Sequence, residues 1–150
     1  MDLKLNLEEG VLNIRVGIIL YKDNEVVLEI SKIGDNSAVP GGRVRFNETS
    51  FEAIQRELIE EMNLILDTEK LEKVDTYENF FEYGSKFHEI FFLYKYCLSD
   101  DEYNYIKNIG NNKDNVNTYF EIVDNSRLEE LDLLPTLLYD VIRKGLNWAL

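Results

Sequence analysis

The chain has 150 residues, 45% of them hydrophobic and 30% charged; 16 Lys and Arg stand against 29 Asp and Glu, a formal net charge of −13 at pH 7. This length and composition exclude global disorder and predict one folded domain, residues 1–150, whose core needs no staple, while the charge disfavours a nucleic-acid polymer as partner because like charge repels its phosphates. The lone cysteine, Cys97, excludes an intrachain disulfide, and no apolar run approaches a signal core or a membrane span, so the expectation is a cytoplasmic protein without membrane contact.

Val11 to Tyr21 reads as a strand, with Ile14, Val16, Ile18 and Leu20 on one face. Lys22-Asp23-Asn24 supplies a turn, and Val26 to Ser31 reads as the return strand of a hairpin. Ala38-Val39-Pro40 reads as a short strand ending at Gly41-Gly42. Asn47, Thr49 and Ser50 are candidate caps of a helix running to about Met62, whose apolar face is Phe51, Ile54, Leu58 and Met62. Leu64-Ile65-Leu66 starts an extended segment; Val74–Phe81 and Phe87–Leu98 read as strands, the second apolar on both faces and therefore central, with Cys97 buried. A short helix is expected at Glu102–Ile109, a strand at Thr118–Val123, a helical turn at Arg127–Leu131, and a closing helix from Thr136 to about Trp148 with Pro135 at its first turn.

The stretch from Pro40 to Leu64 carries the chemistry. Glu57, Glu60 and Glu61 stand at i, i+3 and i+4 and so share a helix sector of roughly 100°. Ile54, Leu58 and Met62 occupy the adjacent face, so the carboxylates lie beside the buried seam. Like charges this close repel, more so when partly buried, and a hard divalent cation relieves the repulsion. An all-oxygen donor set suits Mg²⁺ or Mn²⁺, and Gly41-Gly42 lets backbone approach closely enough for a carbonyl to join.

In this stretch Gly42 is followed five residues later by Glu48, then after seven residues by Arg56-Glu57, Leu58, Ile59, Glu60-Glu61, Met62, Asn63 and Leu64. The pattern resembles the box of the Nudix hydrolase family (MutT-like) over 23 residues, and departs from it where Asn63 replaces the late glycine. Asparagine is the next residue of choice for a left-handed helix end, so the departure is mild. The resemblance extends more loosely from Val11 to Trp148. It implies an α/β fold, the Nudix α/β/α sandwich with a mixed β-sheet, and metal-assisted hydrolysis of a diphosphate linkage in a nucleoside diphosphate joined to another group. It also implies a small-molecule partner of that class and a homodimer.

Carried over residue by residue, the resemblance makes Glu57, Glu60, Glu61 and the Gly41 carbonyl the holders of Mg²⁺, with Mn²⁺ as a substitute. Glu57 becomes a general base, Arg56 the residue that pairs with and orients a box glutamate, and Glu48 a support of the loop and metal shell. A late-loop glutamate such as Glu102 is the other candidate base. Arg15, Arg43 and Arg45 either contact substrate phosphates or pair with nearby acids. His88 is read as a hydrogen-bonded core residue and Glu89 as a candidate extra metal ligand; Phe80, Phe81, Tyr83 and Phe87 either pack or stack a base. The alternative function is a catalytically silent Nudix-like nucleotide-binding or regulatory module, since a fold does not guarantee turnover. Which nucleoside diphosphate derivative is the substrate is not written in the box.

Overall fold

The structure, a computed structural model, describes residues 1–145. Strand β1 (Lys4–Asn6) pairs antiparallel with the first residues of β2 (Val11–Lys22). In β2, Val16, Ile18 and Leu20 bury on one face while Ile19 and Tyr21 bury on the other, which marks a central strand. A two-residue turn, with Asp23 at φ 52°, leads to β3 (Glu25–Ser31). β3 pairs with β2 only at Tyr21–Val26 and Lys22–Glu25. Further back along β2, Arg15, Val16 and Gly17 instead pair with β5 (Gly41–Arg43). The hairpin therefore splits, and the segment bearing Gly41-Gly42 takes its place beside β2.

The remaining elements are β4 (Asn36–Ala38), α1 (Ser50–Met62), β6 (Glu72–Tyr83), β7 (Ser85–Cys97), α2 (Asp100–Ile109), β8 (Thr118–Asp124), a 3₁₀ turn (Asn125–Glu130), β9 (Asp132–Leu133) and α3 (Leu137–Gly145). The sheet runs β6-β7-β2-β3-β4-β9, with β1 and β5 added to β2 and β8 added to β3. It is mixed: β2–β7 and β4–β9 are parallel, the other pairs antiparallel. One core lies between the sheet and α1 and α2, built from Val16, Ile18, Ile54, Leu58, Tyr94, Ile106 and their neighbours. The other lies under the 3₁₀ turn and α3, from Ile19, Phe91, Leu128, Leu138 and Ile142. Helices thus cover both faces, an α/β/α sandwich. Among the described residues no helix is long and apolar enough to cross a membrane.

Several expectations are corrected. Val39-Pro40 is not a strand; it joins β4 to β5, and Gly41-Gly42 are themselves strand residues. Leu64-Ile65-Leu66, expected to start an extended segment, lies between α1 and β6 without pairing to a strand, with Leu64 and Leu66 buried and Ile65 exposed. Cys97, the last residue of β7, is exposed, although Tyr96 and Leu98 on either side of it are buried. β1 and β9, of three and two residues, are too short to carry a periodic signal. The closing helix begins at Leu137, two residues after Pro135, and its expected end at Trp148 lies outside the described residues.

Candidate active site

Helix α1 is delimited by its own sequence. The Thr49 hydroxyl accepts the Glu52 N–H at 3.1 Å and the Glu52 carboxylate accepts the Thr49 N–H at 3.1 Å, a capping box worth about 1 kcal/mol. At the other end Asn63 adopts φ 51°, and its N–H donates to the Ile59 carbonyl at 3.0 Å. Ala53, Ile54, Leu58 and Met62 are wholly buried. The same inward side carries Glu57 and Glu61, 8% and 5% exposed, while Glu60 sits at the margin with a third of its side chain open. Two neighbouring carboxylates at this depth are exceptional for a soluble helix.

The glycine pair explains how α1 comes so close. A Cβ on Gly42 would lie 2.4 Å from the Glu57 carboxyl carbon, so any side chain there would displace the carboxylate. Gly41 has φ 155°, and a Cβ on it would lie 2.1 Å from the Val16 carbonyl oxygen.

Arg56 ties this helix to the loop before it. Its Nε donates to Glu48 Oε2 at 2.7 Å and its Nη2 to Glu48 Oε1 at 2.9 Å, a bidentate pair. Nη2 also donates to the Arg43 carbonyl at 3.0 Å, and Nη1 to Glu57 Oε1 at 3.0 Å and Glu60 Oε2 at 3.3 Å. Glu48 Oε1 further accepts the Arg45 N–H at 3.0 Å, closing a turn in which Asn47 has φ 68°. The hydrogen bonds from Arg56 hold the Glu48 carboxyl below the usual range, and those to Glu48 raise the guanidinium pKa of Arg56 further.

A fourth carboxylate joins from β3. Glu29 faces Glu61, and its Oε2 accepts the Asn112 side-chain N–H at 2.8 Å. Asn112 belongs to the loop after α2, which docks on α1 through the Lys113 N–H to the Glu61 carbonyl at 2.7 Å. Burial, then the charges of Glu29 and Glu57, push the Glu61 carboxyl up to about 10. Burial also raises Glu57 and Glu29, against the opposing pull of Arg56 on the first and of Asn112 on the second. Glu61 Oε2 is buried and receives no hydrogen bond. Among the described residues no three His, Cys, Asp or Glu side chains are arranged to hold one ion as they stand; Arg56 occupies oxygens of Glu57 and Glu60 instead.

Beside the carboxylates, Arg15 on β2 and Arg43 on β5 are directly opposed cross-strand partners. Like charges so placed repel unless something answers them. Arg15 Nε lies 3.4 Å from Glu89 Oε1, and Arg43 Nε donates to Asn13 Oδ1 at 2.9 Å. Side-chain amides of Asn13 and Asn79 donate to the two Glu89 oxygens, each at 3.4 Å. Burial raises the Glu89 carboxyl, with Arg15 opposing.

A family model described as the NUDIX domain matches residues 11–137. The chain belongs to the NUDIX domain family. No curated protein matches it. Among solved structures, a MutT protein from Bacillus halodurans is 15% identical with a TM-score of 0.67, covering 89% of this chain and 82% of its own. The C. elegans Ap4A hydrolase is 18% identical with a TM-score of 0.60, covering 93% and 99%. The MutT protein from Methanosarcina mazei Go1 is 18% identical with a TM-score of 0.61, covering 92% and 94%. At such identities these likenesses speak to the fold.

In this Nudix chain the box residues Gly41, Gly42, Glu48, Arg56, Glu57, Glu60 and Glu61 converge at the junction of α1 and β5. Arg45 reaches Asp2 at 3.7 Å and Glu60 at 3.5 Å, so acids occupy it. Glu102 stands apart from them, closing the capping box of α2 on Ser99 and accepting the Tyr96 hydroxyl at 2.7 Å. His88 is not a core residue; nearly half its side chain is open, its Nε2 lies 3.3 Å from Glu78, and its ring meets Phe80 edge-on, because β7 runs past both cores at that end. Phe81 and Phe87 stack at 4.8 Å beside a cavity of about 470 Å³, whose lining includes none of the box residues. Glu29, Asn112, Asn13 and Asn79 escaped the sequence reading. Glu29 did leave a signal, an acid between Leu28 and Ile30 in an apolar strand; Asn112, one asparagine among several, left none.

Proposed function

We propose that this Nudix hydrolase uses Mg²⁺, with Mn²⁺ as a substitute, to cleave the diphosphate linkage of a small nucleoside diphosphate derivative. The observation that carries the reading is the buried pair Glu57 and Glu61 against Gly42, with Glu61 Oε2 left without a donor. A buried carboxylate without a partner is costly, and an oxygen-only donor set fits a hard divalent cation. Glu57, Glu60, Glu61 and the Gly41 carbonyl would hold it. When bound, such an ion supplies charge neutralisation at phosphorus and acidifies water.

The chain's own residues do the rest. Glu57 takes the proton of the attacking water. Arg56 fixes Glu57 and Glu60 through Nη1, and Glu48 fixes Arg56 from the far side. Arg15 and Arg43, each anchored through Nε, turn their outer nitrogens to the substrate phosphates and answer charge that the acidic surface otherwise repels. The test is a panel of nucleoside triphosphates, nucleotide sugars and dinucleoside polyphosphates, with Ap4A included for the C. elegans neighbour, assayed for phosphorylated products with and without Mg²⁺. Turnover that requires the ion is expected. Tight nucleotide binding without product across the panel would replace the enzyme with a silent binding module.

A further inference from the structure

We propose that Glu29 is a further carboxylate of the cation site, presented from β3 and held in place by Asn112. The proposal rests on the divalent-cation reading above and extends it to a residue outside the box. Strand alternation fixes the direction: Val27 buries in the core that receives α1, so Glu29, two residues on, faces the same way. There it meets the buried end of α1 at Glu61. Among the described residues Glu29 makes no ion pair within 4.0 Å, although it faces another acid.

Asn112 determines which oxygen is left. It is 4% exposed, and its rotamer is fixed because its Oδ1 accepts the Asp114 and Asn115 N–H groups at 2.8 and 3.1 Å. Its amide nitrogen then holds Glu29 Oε2 at 2.8 Å, leaving Oε1 for the carboxylate cluster. An independent observation points the same way. Glu61 is 5% exposed and its Oε2 receives no donor; the charge of Arg15 acts on both acids, but no hydrogen bond reaches that oxygen. Two facing carboxylates without a cation are unfavourable, whereas a hard divalent ion is served by both. Glu29 also approaches from the sheet while the box acids approach from the helix, so the ligands surround the ion from two elements.

The experiment is a Mn²⁺ titration of the full chain without substrate, followed by calorimetry and by the electron paramagnetic resonance of free Mn²⁺, for the wild type, Glu29→Gln and Glu61→Gln. Glutamine at 29 keeps an acceptor for Asn112, so the loop stays anchored, and removal of a repulsive charge leaves the metal-free Tm unchanged or higher. Glu29→Gln is expected to weaken Mn²⁺ binding at least about 10-fold, and Glu61→Gln at least as much. If Glu29→Gln binds Mn²⁺ like the wild type while Glu61→Gln loses it, Glu29 is no ligand and the box reading survives. If the wild type binds no Mn²⁺, or Glu61→Gln binds it equally well, the cation reading fails and this proposal fails with it.

Discussion

Glu57→Gln is expected to lower kcat by at least about 10²-fold, the usual size of a general-base contribution. The substitution is nearly isosteric, which matters because the carboxylate sits where a Cβ of residue 42 would otherwise be. The amide oxygen still accepts the bond that Arg56 Nη1 gives to Glu57 Oε1 at 3.0 Å. Helix and loop therefore stay joined, and a buried charge that burial already disfavours is removed. Stability is expected to hold while turnover collapses, and the pair of measurements is kcat with saturating Mg²⁺ beside the Tm of the same preparation. Near-normal turnover in a folded Glu57→Gln protein would remove Glu57 from the mechanism.

Arg56→Ala is the largest expected effect on stability. The guanidinium makes five hydrogen bonds, to Glu48, Glu57, Glu60 and the Arg43 carbonyl, with only 18% of its side chain exposed. Truncation leaves the buried Glu57 and the partly buried Glu48 beside Glu60, without the cation they share. Breaking such a pair costs about 3–5 kcal/mol when fully buried, and about 3 kcal/mol is expected at this site. For a chain of this size that lowers Tm by roughly 6–12 °C. A thermal scan of Arg56→Ala and Arg56→Lys checks it, with lysine recovering only part because it cannot form the bidentate pair with Glu48. A Tm within about 1 °C of the wild type in Arg56→Ala would show that the network adds little to the fold.

The sequence made α1 legible because three signals agreed there: the cap candidates Asn47, Thr49 and Ser50, of which Thr49 is the cap, the Ile54–Leu58–Met62 seam and Asn63 at a left-handed end. β2 and β7 were legible for a related reason, since burial on both faces demands an apolar run. The pieces around Gly41-Gly42 were misread because their strand character comes from long-range pairing with Arg15–Gly17, which no local propensity encodes. His88 and Cys97 were placed inside because alternation reports which residues share a face, not whether that face is covered at each position.

The box residues could be read because they are spaced along a helix and a turn. The rest of the site is assembled across strands: Glu29 meets Glu61 from β3, and Glu89, Asn13 and Asn79 meet through the registers of β2, β6 and β7. Those contacts depend on sheet order, with sequence separations of tens of residues. The two opposed arginines come together only through the β2–β5 pairing, which sets two charges far apart in the sequence side by side.

The most direct measurement of the central claim, that the buried carboxylates of α1 hold a divalent cation, is an anomalous difference map from crystals of the full chain soaked in Mn²⁺. A peak about 2.1 Å from carboxylate oxygens of Glu57, Glu60 or Glu61 is the expected result. A map with no peak at α1, at a Mn²⁺ concentration that supports turnover, would contradict it.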